Sequence, residues 1–151
     1  MIKLVSEPHN NITRDPGQWL LTVDEEREFL RRAAEDPNQF VLVAELNVQI
    51  VGAANISRFA KPTQRHAASL GLSVDIDRRH QGIGTALMHA LLDWAKSRKI
   101  RRIELQVFTR NTLAIHLYQK LGFVQEGLHR MAFLKQGQWI DEYTMALLLP
   151  E

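Results

Sequence analysis

A glycine-containing turn is the sharpest chemical signal in the sequence. It runs Arg78-Arg79-His80-Gln81-Gly82-Ile83-Gly84-Thr85, between a predicted strand and a predicted helix. Glycines let a backbone approach a ligand closely, and the start of a helix offers unpartnered N–H groups at its positive dipole end. The pattern predicts a cradle for a pyrophosphate, to which Arg79 adds positive charge; a plain tight turn is the alternative. Two other phosphate-binding motifs are excluded. The turn has no Gly-Lys-Ser/Thr, which a nucleoside-triphosphate loop requires, and Leu87 stands where a dinucleotide-binding fingerprint has its third small residue.

A second group of residues follows the next predicted strand. Asn111, Ala114 and Tyr118 are spaced so that they share roughly one face of a helix, and Gly122 and Phe123 follow that helix. A tyrosine on this face could act on a ligand with its hydroxyl group. The alternative is a tyrosine that packs in the core and reaches the surface only with its tip.

The elements that position these residues follow from hydrophobic periodicity and capping signals. A capping box predicts a helix that starts at Thr22 and ends at Asp36-Pro37-Asn38. Its inward-facing residues would be Phe29, Leu30, Ala33 and Ala34. Alternation predicts a strand with Leu70, Leu72, Val74 and Ile76 on one face. The remaining predicted elements are a hairpin of Phe40–Leu46 and Val48–Ile56, a helix from the glycine turn to about Lys99, a strand Ile103–Phe108, a helix capped by Asn111 with a packing stripe of Leu113, Leu117 and Leu121, and a terminal hairpin of about Phe123–Leu134 and Trp139–Leu148. This order predicts an α/β fold with a mixed sheet.

Composition bounds the class of protein. The 151 residues fit a single domain, 1–151, in which residues 1–21 are hard to assign. With no cysteine, the chain has no disulfide, thiolate metal site or cysteine nucleophile. No apolar run is long enough to span a membrane and no signal peptide is evident, so we expect a cytoplasmic protein without membrane partners.

The two motifs together resemble the GNAT superfamily of acetyl-CoA-dependent N-acetyltransferases. Arg79, Gly82 and Gly84 match its Arg/Gln-x-x-Gly-x-Gly/Ala motif; Asn111, Ala114, Leu117-Tyr118 and Gly122-Phe123 match the second. The resemblance covers about Thr22 to Leu149. It implies a mixed, mostly antiparallel sheet that is splayed in the middle and flanked by helices, and residues 1–21 would be an atypical or shortened N-terminal segment.

The resemblance also implies roles for individual residues. The strand end at Val74, Asp75 and Ile76 would present backbone groups to the pantetheine arm and the acetyl carbonyl. Together with Arg79, the N–H groups of Gln81, Gly82, Ile83, Gly84 and Thr85 would hold the pyrophosphate. Asn111 and Ala114 would lie against the cofactor or cap the helix, and Tyr118 would contact the cofactor and protonate the departing thiolate. The expected reaction is direct attack of a primary amine on the thioester, the amine belonging to an amino acid, a polyamine, or a protein N-terminus or lysine.

The general base is where the sequence departs from the family pattern. Family members place a glutamate on the strand before the glycine motif or five residues before the motif asparagine; those positions here are Ala67-Ala68-Ser69 and Gln106. Glu104 lies on the same strand face as Gln106 and is the first candidate, although a salt-bridged strand glutamate is the alternative. His66 is the second candidate, since imidazole can act as a base near neutral pH. The histidines show no metal-ligand spacing, and we expect no metal.

Charge is unevenly distributed along the chain although the net charge is only +2. Between Arg78 and Arg102 there are seven basic residues and one acid, which suits either a solvated helix end or a multiply charged cofactor with a 3′-phosphate. Nucleic-acid binding is not expected, because stacking aromatics are missing from this cluster. A cofactor-binding sensor domain that has lost catalysis is the alternative function, and the terminal strands could pair in a homodimer.

Overall fold

The computed structural model describes residues 22–150. Its main helices and strands follow one another in the predicted order. They are α1 (Val23–Glu35), β1 (Gln39–Leu46), β2 (Gln49–Arg58), β3 (Ala67–Val74), α2 (Ile83–Ser97), β4 (Arg102–Phe108), α3 (Thr112–Lys120), β5 (Val124–Lys135) and β6 (Gln138–Leu148). Short 3₁₀ turns cover Pro62–Gln64 and Ile76–Arg78.

The six strands form one mixed sheet in the order β1-β2-β3-β4-β6-β5. Four of the five neighbouring pairs are antiparallel, and only β3 and β4 run parallel, joined by the crossover through α2. The predicted fold class, a mostly antiparallel mixed sheet with flanking helices, is confirmed. Among the described strands β5 and β1 are the sheet edges; a homodimer through the terminal strands stays a prediction.

The parallel pair opens towards its carboxyl end. β3 and β4 pair only at Ala67–Arg102, Ala68–Ile103 and Ser69–Glu104, although β3 continues to Val74 and β4 to Phe108. The two strands therefore separate after Ser69, while each keeps its antiparallel partner on the other side. This separation is the predicted splay, and the turns that carry both sequence motifs follow its open end.

The two faces of the sheet differ. On one face, called the helix face, Ile103, Leu105 and Val107 of β4 join α2 and α3 in the hydrophobic core. On the other face, called the open face, the central strands carry small or polar side chains instead: Ser69, Gly71, Ser73, Glu104 and Gln106. A ligand between β3 and β4 would thus meet the packed core on one side and polar groups on the other.

A glycine in β2 lets α2 lie close to the sheet. A Cβ atom on Gly52 would lie 3.1 Å from Leu87 Cδ1, 3.2 Å from Ile83 Cγ2 and 3.2 Å from Ser73 O. A side chain here would force the ends of Leu87 and Ile83, or the backbone at Ser73, to shift. The spacing of residues in the sequence does not reveal this glycine, because the contact joins elements about 30 residues apart.

Several predicted inward-facing residues are exposed. Ile76 is 58% exposed because β3 ends at Val74 and a 3₁₀ turn begins, with Asp75 Oδ1 accepting a hydrogen bond from Asp77 N. Phe29 and Ala34 are exposed on α1, where Ala33 alone is buried. Leu113 is exposed on α3, and the buried position of that helix belongs to Tyr118. The predicted inward faces are therefore correct in part: Ala33 is buried, and Leu117 and Leu121 pack against the core, whereas Phe29, Ala34 and Leu113 face outward.

No helix among residues 22–150 is both long and apolar enough to cross a membrane. The expectation that residues 1–21 form an atypical or shortened N-terminal segment concerns residues outside the described range.

Candidate active site

The glycine turn leads directly into α2 and leaves that helix open at its start. Gly82 is the N-cap residue at φ +80°, the left-handed region, with no side-chain cap. The first hydrogen bond within the helix is Ala86 N to Gly82 O, at 3.0 Å, so the helix gives no partner to the N–H groups of Ile83, Gly84 and Thr85. An added Cβ at Gly82 would find no atom within 4 Å. The geometry fits a bound pyrophosphate.

The second glycine of the motif has a different role. A Cβ on Gly84 would lie 3.3 Å from Leu117 Cδ2 of α3 and 3.6 Å from Val74 Cγ2 of β3. Gly84 therefore allows the start of α2 to pack against β3 and α3, whereas its N–H group remains available to a ligand. Of the two glycines, only Gly82 leaves open space for a ligand, because the space at Gly84 is filled by Leu117 and Val74.

Arg79 lies between the strand end and the helix start. Its Nε donates a long hydrogen bond of 3.5 Å to Val74 O, and its side chain is partly buried. Asp75 N donates to Val51 O at 2.8 Å, which fixes the end of β3 against β2. Val74, Asp75, Ile76 and Arg79 thus lie together with the glycine turn at the open end of β3, as the resemblance implies for a cofactor site.

Asn111 caps α3, at the open end of β4. Its Oδ1 accepts a hydrogen bond from Ala114 N at 3.3 Å, and its own N–H donates to Phe108 O at 2.9 Å. This satisfies one of the two roles that the resemblance implies for Asn111, the helix start. Because Leu117 of the same helix contacts the Gly84 position, the two motifs lie side by side at the opening between β3 and β4.

Tyr118 is held in the core rather than on the surface. It is 5% exposed, and its ring centroid lies 5.8 Å from that of Phe123. Burial raises the pKa of Tyr118 to about 12. A thiol has an ordinary pKa of about 8.5, so complete proton transfer from this phenol to a thiolate is unfavourable by roughly 10³-fold. A neutral phenol of this kind can donate a hydrogen bond to sulfur, but it is a poor source of a transferred proton.

The two predicted base candidates lie at the closed end of the opening. Glu104 pairs with Ser69 in the last rung before the strands separate, and its carboxylate is 3.2 Å from Arg102 Nη2. Arg102 also donates to Glu126, at 2.9 Å from Nη1 to Oε1. His66 precedes β3, about 26 Å along the strand from its carboxyl end, and its carbonyl accepts hydrogen bonds from Arg101 N and Arg102 N. Neither candidate lies with the glycine turn.

The basic cluster is split by α2. Arg78 and Arg79 precede the helix, whereas Lys96 lies in its last turn and Arg98 to Arg102 follow it, about 22 Å away along the axis. Several of the latter have local partners: the Arg98 guanidinium carbon lies 5.6 Å from the Trp94 ring centroid, and Arg101 Nη1 donates to Pro150 O at 2.6 Å. The cluster therefore does not form a single anion site, and only its first two residues lie near the cradle.

Within residues 22–150, no group of three or more His, Asp or Glu side chains could hold a metal ion.

The fold and the site fit a class of protein that would hold the phosphates of a co-substrate at a helix start and the rest of it between two separating strands. Comparison with known sequences identifies the class. The sequence profile of the Acetyltransferase (GNAT) family matches residues 7–123, more than half of the chain. The chain belongs to this family, and it is an acetyl-CoA-dependent N-acetyltransferase.

Several curated relatives are similar over most of their length. An L-amino acid N-acetyltransferase, AaaT, of Escherichia coli is 34% identical over 76% of this chain and 72% of its own. The [ribosomal protein bS18]-alanine N-acetyltransferase of Escherichia coli is 31% identical over 68% of this chain and 70% of its own.

Solved structures show the same architecture. A GNAT-family acetyltransferase from Streptococcus pneumoniae superposes with a TM-score of 0.90 at 36% identity, covering 98% of this chain and 89% of that one. The Salmonella typhimurium protein yncA, solved with acetyl-CoA, has a TM-score of 0.81 at 23% identity, covering 93% and 80%. At 23% identity, the similarity to yncA concerns the fold alone.

Proposed function

We propose that the protein transfers the acetyl group of acetyl-CoA to the primary amine of an amino acid or of a peptide N-terminus. The observation that carries this proposal is the opening between β3 and β4, with the α2 start and the capped α3 at its mouth. The opening allows the thioester to lie between a buried tyrosine on the helix face and polar groups on the open face. An amine would then approach from the open face.

The proposed cofactor contacts are those that meet at the mouth of the opening. The N–H groups of Ile83, Gly84 and Thr85, with Arg79 beside them, would bind the pyrophosphate. The backbone of Val74 to Ile76 would bind the pantetheine arm. Tyr118 would donate a hydrogen bond to the sulfur as the C–S bond breaks, on the buried side of the sheet.

The charge of α1 argues against a polyamine acceptor. Polyamines carry several cations and need several free carboxylates, but three of the five acids of α1, Asp24, Glu28 and Glu35, are already in ion pairs. Glu28 lies 2.8 Å from Arg31 and 2.7 Å from Arg32, and Asp24 lies 2.7 Å from Arg27. The named relatives act on amino acids and on a ribosomal protein alanine, which supports an acceptor with one α-amino group.

Calorimetric titration of acetyl-CoA, followed by a screen of amines with detection of released thiol, tests the proposal. We expect micromolar binding that is lost in Gly82→Glu, since that side chain would place a negative charge in the phosphate cradle. We expect turnover with amino acids or with peptides that have a free α-amine, and not with the same peptides after N-terminal blocking. Turnover with spermidine but not with any amino acid or peptide would contradict the choice of acceptor.

A further inference from the structure

One buried carboxylate on the open face has no role in the site described above. Glu142 of β6 has a side chain only 11% exposed, yet it lies on the polar side of the sheet. The residue opposite it on β4 is Phe108, and the residue opposite it on β5 is His129. Burial of a charge is costly unless a partner compensates it, so a carboxylate in this position calls for a cation.

The register places Glu142 at the open end of the splay. Phe108, its partner, is the last residue of β4 and lies four residues beyond Glu104, about 13 Å along the strand. By then β3 and β4 no longer pair. Glu142 is therefore next to the mouth of the opening, one strand away from β4, whereas Glu104 is at the closed end and bound to Arg102.

A β-bulge turns His129 towards Glu142. Between His129 and Phe133 the β5 strand carries extra residues, and Met131 has φ +52°. Asp141 fixes this bulge, because its Oδ1 accepts a hydrogen bond from Met131 N at 2.8 Å. His129 Nδ1 consequently lies 3.7 Å from Glu142 Oε2, with 60% of the His129 side chain exposed. The imidazole connects the buried carboxylate to solvent.

Aromatic rings complete the surroundings of Glu142. The ring centroid of Phe108 lies 5.2 Å from that of Phe133, and the guanidinium carbon of Arg110 lies 5.7 Å from the Phe108 ring. Along β6 the neighbours on the same face, Ile140 and Thr144, are uncharged. The charged or titratable groups at this end of the open face include His129 opposite Glu142, Arg110 over the Phe108 ring, and the buried Lys135, two residues beyond Phe133 on the same face of β5. A carboxylate beside aromatic faces suits an ammonium group.

From this arrangement we infer that Glu142 binds the acceptor ammonium on the open face and takes its proton, and that His129 passes this proton to solvent. The inference rests on the proposed function. After Glu142 removes one proton, the amine lone pair forms the N–C bond to the acetyl carbonyl carbon, and the C–S bonding pair leaves with sulfur. The nitrogen loses its second proton, which ends on the thiolate. The products are the amide, the free thiol and one proton released through His129.

Three variants with matched controls test the assignment. Glu142→Gln keeps the shape of the side chain and removes its charge, Glu104→Gln makes the same change at the closed end, and His129→Gln alters an exposed residue that cannot unfold the core. For each, we would measure kcat/KM with the best acceptor of the amine screen across pH, the affinity for acetyl-CoA, and the affinity of the acceptor for protein saturated with CoA.

We expect Glu142→Gln to lower kcat/KM at pH 7 by about 10²-fold or more, the usual contribution of a general base. The loss should shrink as pH rises towards the acceptor's own pKa, because the amine then arrives without its proton. Acceptor affinity should fall and acetyl-CoA affinity should stay within about twofold, which also shows that the variant is folded. His129→Gln should lose activity about 3- to 10-fold, and Glu104→Gln less than threefold.

The outcomes separate the inference from the proposed function. A wild-type protein that binds no acetyl-CoA, or acetylates no amine, overturns both. An active wild type with an equally active Glu142→Gln overturns the inference alone. The same holds if Glu104→Gln loses about 10²-fold while Glu142→Gln does not, since the proton acceptor would then lie at the closed end of the splay.

Discussion

The strongest test of the phosphate cradle replaces Gly82 by alanine. At φ +80° an L-residue costs about 1–2 kcal/mol, part of which is regained because alanine restricts the unfolded chain. No atom lies within 4 Å of the added Cβ, so no clash adds to this cost. We expect a loss of unfolding free energy of about 1 kcal/mol, or about 2–4 °C in Tm for a chain of this size.

The effect of Gly82→Ala on the ligand should be larger than its effect on stability. The methyl group would occupy the space in which a phosphate approaches the N–H groups of Ile83 to Thr85. Losing one hydrogen bond to a charged group costs about 1.5–3 kcal/mol, which corresponds to a 10- to 150-fold rise in Kd for acetyl-CoA. Calorimetric titration measures this Kd, and urea unfolding measures the stability.

Gly137 provides a matched control. It lies in the β5–β6 turn at φ +76°, and an added Cβ there also meets nothing within 4 Å. Gly137→Ala should therefore lose the same stability and bind acetyl-CoA as tightly as the wild type. An unchanged Kd in Gly82→Ala, or an equal loss of affinity in Gly137→Ala, would refute the phosphate cradle.

Three further predictions follow from packing and burial. Tyr118→Phe should lower kcat about tenfold or more through loss of a hydrogen bond to the departing sulfur, with little change in acetyl-CoA affinity; an unchanged kcat would remove Tyr118 from the reaction. Burial raises the pKa of Tyr118 to about 12, so the neutral phenol stabilises the fold fully below pH 10, and this stabilisation is lost as pH rises to 12. Between these pH values, urea unfolding should show the free energy of unfolding of the wild type falling by about 2–3 kcal/mol through this group. Tyr118→Phe should lack this fall. Gly52→Ala should destabilise the protein by about 1–3 kcal/mol in urea unfolding, because its Cβ would contact Leu87. Gly127→Ala is the control, since its Cβ would lie 4.0 Å from Thr144 Cβ, and it should change the stability little. Equal effects of the two substitutions would contradict the packing argument.

The features that the sequence predicted well are those decided by a few adjacent residues. The capping box of Thr22 and Glu25 forms as expected, with Thr22 N donating to Glu25 Oε2 at 2.7 Å. Asn111 caps α3, and α2 begins directly after the glycine turn, as predicted. Each depends on hydrogen bonding or φ preference over three or four residues, which the order of residue types determines directly.

Features that depend on distant partners could not be predicted from local patterns. Alternation in β3 gives no sign that pairing with β4 ends at Ser69. The basic residues after Arg78 are close in sequence, but the 15 residues of α2 separate them in space. Glu142 escaped notice because its neighbour His129 is 13 residues away, and the bulge at Met131 shifts the register that a regular hairpin would have. Only the assembled sheet brings these residues together.

The separation of β3 from β4 also explains why the fold is suited to its co-substrate. Backbone N–H and C=O groups need hydrogen-bond partners when buried, and a parallel strand pair would normally satisfy them. Beyond Ser69, β3 keeps its pairing to β2 but has none to β4. We expect the amide groups of the pantetheine arm to bind here as an added strand would, so that affinity comes largely from main-chain hydrogen bonds. Such binding is insensitive to side-chain identity, which leaves the open face, with Glu142 and the aromatic rings beside it, free to determine which amine is accepted.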